Sequence, residues 1–297
     1  MSKYTVATLL ETVYALFQSS NLSYGHGTDN AWDEAVALVL AVMGLPDDES
    51  VLDAPVPASD STRVLKMAQE RVERRVPLAY LMGRIQYAGY EFQVESGVIV
   101  PRSPIGLLLH DGVQPWLPAS VTSVLDLCCG SGVLGIVAAH VFPHARVTLL
   151  DVDEQAVALA QKNVLAHGLT EQVEVIQADI LDQGPLPEKF DLILTNPPYV
   201  DASDMASLPA EYAAEPALAL DGGPEGLMIV DAIISKLSLW LKPSGLLIGE
   251  VGASAPALIH RYPELPLIWP DLPMGGEGVF MLEGAALNSH TAPRFKG

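Results

Sequence analysis

Cysteine is nearly absent from this chain: its two cysteines, Cys128 and Cys129, are immediate neighbours. That spacing serves neither an ordinary structural disulfide nor a zinc site of several spaced ligands, and it suits a reducing compartment. Basic residues are scarce as well. Sixteen Lys+Arg stand against 36 Asp+Glu, for a formal charge of -20, which repels a phosphate backbone unless a local basic face compensates. Direct nucleic-acid binding is therefore not expected; solubility and attraction to a basic protein are the two readings of such acidity. No hydrophobic run is long enough to span a bilayer. The one segment resembling a targeting stretch, Thr5 to Phe17, is interrupted by Glu11 and lacks a small-residue cleavage site. Internal repeats and low-complexity tracts are missing. Metal is not expected: His140 and His144 stand four apart, but Pro143 intervenes and no third ligand clusters with them, so they read as surface or helix-end histidines. A soluble, cytoplasmic protein without membrane contact is the expectation.

What is present is apolar bulk, 49% of 297 residues, enough for a sizeable core and one large plus one smaller domain. Residues 1–85 read as helical. Val6, Leu9, Leu10, Val13, Leu16 and Phe17 recur at helical spacing, as do Trp32, Ala35, Val36, Val39 and Leu40 behind a cap at Asp29 or Asn30. A third helix is expected from about Ser61 to Arg75, capped by Asp60, with Val64, Leu65, Ala68 and Val72 on one face and its ERVERR ending solvated. Residues 86–104 read as a hairpin linker, with YAGYEFQV and GVIV separated by Glu95-Ser96-Gly97. VPRSP, residues 100–104, is an extended stiff loop, either a plain linker or one wall of a cleft. From residue 105 to 297 short apolar strands alternate with helices: SVLDLCC, a helix from Val133, RVTLLD, a helix from Glu154, VEVIQAD, FDLILTN, a helix from Leu227, and GLLIGEV. This is an α/β pattern with a mostly parallel, Rossmann-like sheet. LPLIWP and GVFMLE suggest a final strand pair, and the tail from Ala286 is expected to be loose.

Gly130-Ser131-Gly132-Val133-Leu134-Gly135 matches GxGxxG between a strand and a helix, and Asp151 ends the next strand. Alone, that would admit a nicotinamide dehydrogenase or a non-catalytic nucleotide-binding module. Asp126, four residues before the first glycine, would repel a pyrophosphate but suit a cationic amino group or a sulfonium. Asp151 suits ribose hydroxyls, and Asp179, closing VEVIQAD, suits an adenine amine. Together they put three carboxylates at the ligand edge of the sheet and favour S-adenosylmethionine. At the same edge TNPPY follows the strand FDLIL. Its prolines push Asn196 and Pro197 away from helix and make a rigid array of acceptors: the Asn196 side-chain carbonyl and the Pro197 backbone carbonyl, with Tyr199 as a flat wall. Two acceptors in that arrangement hold a planar NH2 group toward a methyl donor. Glu211, Tyr212 and Glu215 are candidate flap residues, and GGPEG, residues 222–226, a loop into the next helix.

These motifs resemble a known family. DLCCGSG, LLDVDEQAVALAQKN, QAD and FDLILTNPPYV are similar to class I S-adenosylmethionine-dependent methyltransferases. The N-terminal helices, hairpin and NPPY resemble the subgroup that methylates glutamine side-chain nitrogen in translation proteins. The likeness covers nearly the whole chain. One branch of that subgroup acts on the GGQ glutamine of peptide release factors and another on the third large-subunit ribosomal protein. VPRSPIG at 100–106, NPPYVDASDMASLPAEYAAEP at 196–216 and GGEGVFML at 275–282 look like the ribosomal-protein branch; the release-factor branch usually carries a PRPDTE-like stretch in place of the first. The resemblance implies N5-methylation of a ribosomal-protein glutamine, with S-adenosylhomocysteine as product. It implies cofactor contacts at Cys128, Cys129, Gly130, Ser131, Gly132, Asp151, Asp179, Ile180 and Asn196, and a glutamine held by Asn196, Pro197, Pro198 and Tyr199. Cys128 departs from the glycine common there and is expected to have less freedom for positive φ. An adenine N6 methyltransferase is the more distant alternative, since a base amine is also a planar NH2; the net charge speaks against it.

Overall fold

The computed structural model describes residues 3–288 except 112, 114, 118, 119, 185 and 273–277. At the start lie four helices: α1 (Val6–Ser19), α2 (Ala31–Met43), α3 (Ala58–Arg74) and α4 (Leu78–Met82). The Thr5 side chain accepts from the Thr8 amide and the Thr8 side chain answers to the Thr5 amide, a reciprocal cap that fixes where α1 begins. Asn30 caps α2 by accepting from the Trp32 and Asp33 amides, and Gly44 ends it in the left-handed region. Two expectations change here. Helix α3 starts after Pro57, without a side-chain cap, and Asp60 lies in its first turn. Trp32 is exposed, meeting Tyr14 edge-on at 5.5 Å, while Ala35, Leu38 and Val39 turn inward. The helices enclose one core built on Leu9, Val13, Phe17, Leu38 and Val64.

A two-stranded antiparallel hairpin follows, β1 (Arg84–Tyr87) and β2 (Tyr90–Gln93). Its turn is Ala88-Gly89, both at positive φ as a two-residue primed turn requires, not Glu95-Ser96-Gly97. GVIV forms no strand. Ile85, Tyr87 and Phe92 instead bury one face of the hairpin in the core of the larger unit.

That unit holds α5 (Ile105–Asp111), β3 (Ser123–Leu127), α6 (Val133–Val141), β4 (Arg146–Asp151), α7 (Glu154–Ala166), β5 (Val173–Gln177), β6 (Phe190–Thr195), α8 (Ala202–Met205), α9 (Met228–Trp240), β7 (Leu241–Glu250), α10 (Ala255–Arg261) and β8 (Val279–Glu283). The strand order is β5-β4-β3-β6-β7-β8, parallel throughout except for antiparallel β8. Strands β3 and β6, buried on both faces, lie in the middle because helices cover both sides. Ile136, Val137 and Leu149 build the core on one face, and Ile233, Leu237 and Trp240 that on the other. LPLIWP contributes only a single bridge, Ile268 to Met281, so the partner of GVFMLE is β7. Residues 275–277 of GGEGVFML and the tail beyond Asn288 lie outside the described residues. Among the described residues no helix is long and apolar enough to cross a membrane.

Candidate active site

All five parallel strands end at one edge of the sheet, and strand polarity alone brings the expected residues there. The chain leaves β3 through residues 128–132, where Cys128, Gly130 and Gly132 have φ of 57°, 54° and 82°. Cys128 thus takes the left-handed conformation despite its Cβ, at a cost of roughly 1–2 kcal/mol. The turn leaves it no choice: the Cys129 amide donates to the Leu150 carbonyl (3.1 Å), the Gly132 amide to the Cys129 carbonyl (2.8 Å), and the Gly130 amide to Asp151 Oδ2 (2.8 Å). A Cβ on Gly132 would stand 2.9 Å from Leu149 Cδ1 and 3.1 Å from Ala160 Cβ. Glycine there lets α6 settle against β4 and α7.

Below the turn opens a cavity of about 200 Å³. Cys128, Gly130, Asp151, Asp179, Ile180 and Asn196 line it; Asp126, Cys129, Ser131 and Gly132 do not. Asp126 sits within β3, fully buried, with Oδ2 accepting from the Gly135 amide at 2.8 Å and Oδ1 without a partner among the described residues. It therefore braces the start of α6 rather than forming cavity wall. Cys129 and Ser131 are buried too; the Ser131 carbonyl accepts from Asn163 Nδ2. Asp151 also accepts from the Asp153 amide (3.0 Å), and burial pushes its carboxyl up from the usual range. Asp179 Oδ1 accepts from the Leu181 amide at 2.8 Å. Among the described residues, four aspartates, 151, 153, 179 and 221, line this cavity and no Lys, Arg or His does, while Leu150, Val152, Ile180 and Ile229 supply an apolar part.

Asn196 follows directly on β6, whose last residue, Thr195, donates from its hydroxyl to the Leu127 carbonyl (2.9 Å) and so ties this corner to the end of β3. The four residues of the NPPY corner divide between two cavities. Pro198 lines the first; Pro197 and Tyr199 line a second, of about 290 Å³; Asn196 lines both. Asn196 Oδ1 is buried and has no hydrogen-bond partner among the described residues. An amide oxygen left so costs about 1–3 kcal/mol, which a ligand donor would recover. The Tyr199 hydroxyl donates to Glu250 Oε1 (2.8 Å) and its carbonyl accepts from the Ser254 hydroxyl (2.8 Å), which fixes the residue at both ends where it lines the second cavity. Burial pushes both the Tyr199 hydroxyl and the Glu250 carboxyl up. The GGPEG loop backs the same corner, its Gly222 amide donating to the Val200 carbonyl at 2.9 Å.

Arg102, from VPRSP, and Tyr212 complete the second cavity, so that loop is a cleft wall. Glu211 and Glu215 lie beneath the surface in ion pairs with Arg71, Arg75 and Arg102. The expectation of a solvated ERVERR face fails at Arg71, which is buried; a signal was present, because Arg71 shares the helix face of Val64, Met67 and Ala68. His140 pairs with His167 (Nε2 to Nδ1, 3.1 Å) and stacks on Tyr90. A third hollow, of about 580 Å³, opens between the helical region and the hairpin; Val36, Leu40, Leu78 and Ile85 line it together with Asp33, Asp47, Glu91 and Arg84. His26 lines it and packs its ring 4.5 Å from that of Tyr212, so the hollow adjoins the second cavity.

Residues 113–233 match the family model described as methyltransferase small domain. The chain is 39% identical over 289 residues to the ribosomal protein uL3 glutamine methyltransferase of Bordetella pertussis (strain Tohama I), covering 96% of this chain and 97% of that one. It is 38% identical over 268 residues to the protein of the same name from Francisella tularensis subsp. tularensis, covering 89% and 85%. Among solved structures, the hMettl16 catalytic domain in complex with MAT2A 3'UTR hairpin 6 shares the fold at a TM-score of 0.52 and 16% identity, covering 76% of this chain and 82% of that one.

Proposed function

Because the chain belongs to the family of ribosomal protein uL3 glutamine methyltransferases, we propose that it transfers a methyl group from S-adenosylmethionine to the side-chain amide nitrogen, N5, of a glutamine in that ribosomal protein. The observation that carries the reading is Asn196, whose unpartnered, buried amide oxygen lies where the two cavities meet.

The first cavity suits S-adenosylmethionine and not a dinucleotide. Its aspartates and lack of basic side chains favour a cationic nucleoside and disfavour a pyrophosphate. Asp151 would hold the ribose hydroxyls, Asp179 the adenine amine, and Ile180 the base's face, with the Cys128 and Gly130 backbone close to the amino-acid end. Cys129, Ser131, Gly132 and Asp126 act one step back, by shaping the turn. When bound, S-adenosylmethionine supplies an electrophilic methyl on a sulfonium.

The chain's own part is position. Asn196 Oδ1 and the Pro197 carbonyl accept the two N–H bonds of the glutamine amide, which points a face of that nitrogen at the first cavity; Tyr199 lies against the carboxamide plane. An amide nitrogen is a poor nucleophile, and alignment of this kind is worth roughly 7–11 kcal/mol in favourable cases. Tyr199 is not a base: its hydroxyl is committed to Glu250 and its proton is held more tightly than usual. The proton that leaves the methylated nitrogen passes to solvent. The helical domain, with its apolar hollow and acidic neighbours, reads the basic protein surface around the glutamine, and the reaction belongs in the cytoplasm, where that protein is free. Asn196→Ala and Asp151→Ala separate the roles. The first should lower turnover at least about a hundredfold with S-adenosylhomocysteine affinity within about threefold of the parent; the second should weaken that affinity first. Parental turnover in Asn196→Ala would remove the role given to the corner.

A further inference from the structure

The connection from Val200 to Leu227 roofs both cavities. Leu208 and Tyr212 face the second, Pro216 and Leu218 the first, and Ala219 both. It contains only α8 and two short 3-10 turns; Leu220 and Leu227 bury its far end, while Leu218 is exposed and residues 201–219 bring no apolar side chain into the core. Two carboxylates with wholly buried side chains anchor it instead. Glu211 accepts from the Ser23 amide (2.9 Å) and pairs with Arg71 (3.3 Å) and Arg75 (2.9 Å). Arg71 is itself held by Glu34 at 2.6 Å and the Ser23 carbonyl at 2.8 Å. Glu215 takes both prongs of Arg102 (2.6 and 2.9 Å) and the Val100 amide (2.9 Å), with His26 Nε2 at 3.5 Å. Every one of these partners lies outside the connection, in the helical region or the VPRSP loop.

Desolvation offsets most of what a buried ion pair gains, so such pairs are poor sources of stability; what a two-pronged guanidinium–carboxylate bond fixes well is geometry. The geometry fixed here is that of the second cavity. Arg102 lines it, and its guanidinium lies 5.5 Å from the Tyr212 ring, which lines it too. The His26 ring packs 4.5 Å from the same Tyr212 ring. We propose that Glu215 is a positioning residue for methyl transfer, setting Arg102 and Tyr212 against Asn196, while Glu211 ties the same roof to the helical domain. Burial by itself pushes the Glu215 carboxyl up; His26 and Arg102 outweigh it and bring it down to about 2, so the clamp is charged at any working pH. The inference rests on the second cavity being the one that receives the glutamine.

Two variants test it. Glu215→Gln keeps shape and loses charge; Arg102→Lys keeps charge and loses the second prong. Three readouts are taken: hydrogen–deuterium exchange over residues 201–221 without any substrate, S-adenosylhomocysteine affinity by calorimetry, and KM and kcat with the ribosomal protein. Both variants should exchange at least about tenfold faster over 201–221 and raise the acceptor KM by about tenfold or more, with product affinity within about threefold. Unchanged exchange in that segment, or a loss of product affinity as large as the rise in acceptor KM, overturns the proposal. If Glu215→Gln fails to fold, Arg102→Lys decides by the same three readouts. If the parent protein methylates no ribosomal-protein glutamine, the functional reading fails, and exchange over 201–221 still decides the clamp.

Discussion

A carboxyl group shut away from water keeps its proton, and Asp126 is the residue where this matters most. Burial pushes its pKa up from an ordinary 3.8 to about 8; the Gly135 amide opposes the shift and Asp151 adds to it. Between those two values the unfolded chain has released a proton that the folded chain holds. The group's stabilising contribution is therefore complete below about pH 3.8 and is lost as pH rises through the window, by about 1.4 kcal/mol per unit. Glu215, held at about 2, works in the opposite sense and only at lower pH, since its contribution is lost as pH falls below its ordinary 4.5. Asp126→Asn, which keeps an acceptor for Gly135, should flatten the decline between about pH 6 and about pH 8 in urea titrations; parallel parent and variant curves would contradict the assignment. At this scale the sequence points to cavity-lining residues where local neighbours mark them out. Asn196 between strand and prolines, and Asp151 and Asp179 at strand ends, needed no fold to be singled out. Asp126 carried the same letter but lay one pleat inside the sheet, and the partners of Glu211 and Glu215 come from more than 100 residues away, where no local pattern can name them.

Among the elements, those with a long period or a strong cap were legible: α1 and α2 from their apolar faces, and the parallel strands from their unbroken apolar runs. The short ones were not. Helices α5 and α10 span seven residues each, too few for a period to show. The sequence predicts a hairpin in the right region but points to the more turn-like Glu95-Ser96-Gly97 for its turn. Ala88-Gly89 turns because the strands on either side bury Ile85, Tyr87 and Phe92 together, and packing overrides the preference of alanine for negative φ. That conflict gives a prediction. Ala88→Gly relieves roughly 1–2 kcal/mol of left-handed strain against an added backbone entropy cost of about 0.5–1 kcal/mol, so the variant should be more stable by about 0.5–1 kcal/mol in urea unfolding. A less stable variant would mean that the alanine methyl contributes packing that outweighs its strain. Cys128 carries the same kind of strain at the edge of the sheet, in the turn whose backbone lines the first cavity.

At the scale of the molecule, the proposed function gives the formal charge of -20 a use, steering toward a basic protein substrate. The proposed function divides by layer: in it the sheet edge takes the methyl donor, the NPPY corner takes the amide, and the helical domain, joined to the roof by buried ion pairs, meets the protein around it. The overall α/β order, with its nearly all-parallel sheet, was legible because strands and helices alternate; the ionic joint was not, because it exists only once residues 23–102 and 211–215 have folded together. The most direct test is to give the purified enzyme labelled S-adenosylmethionine with free uL3, peptide release factors, DNA and RNA in separate reactions, and to locate the label by mass spectrometry. One methyl on a glutamine side-chain nitrogen of uL3 is the expected result. Label on a release-factor glutamine alone, or on a nucleic acid, would contradict the account.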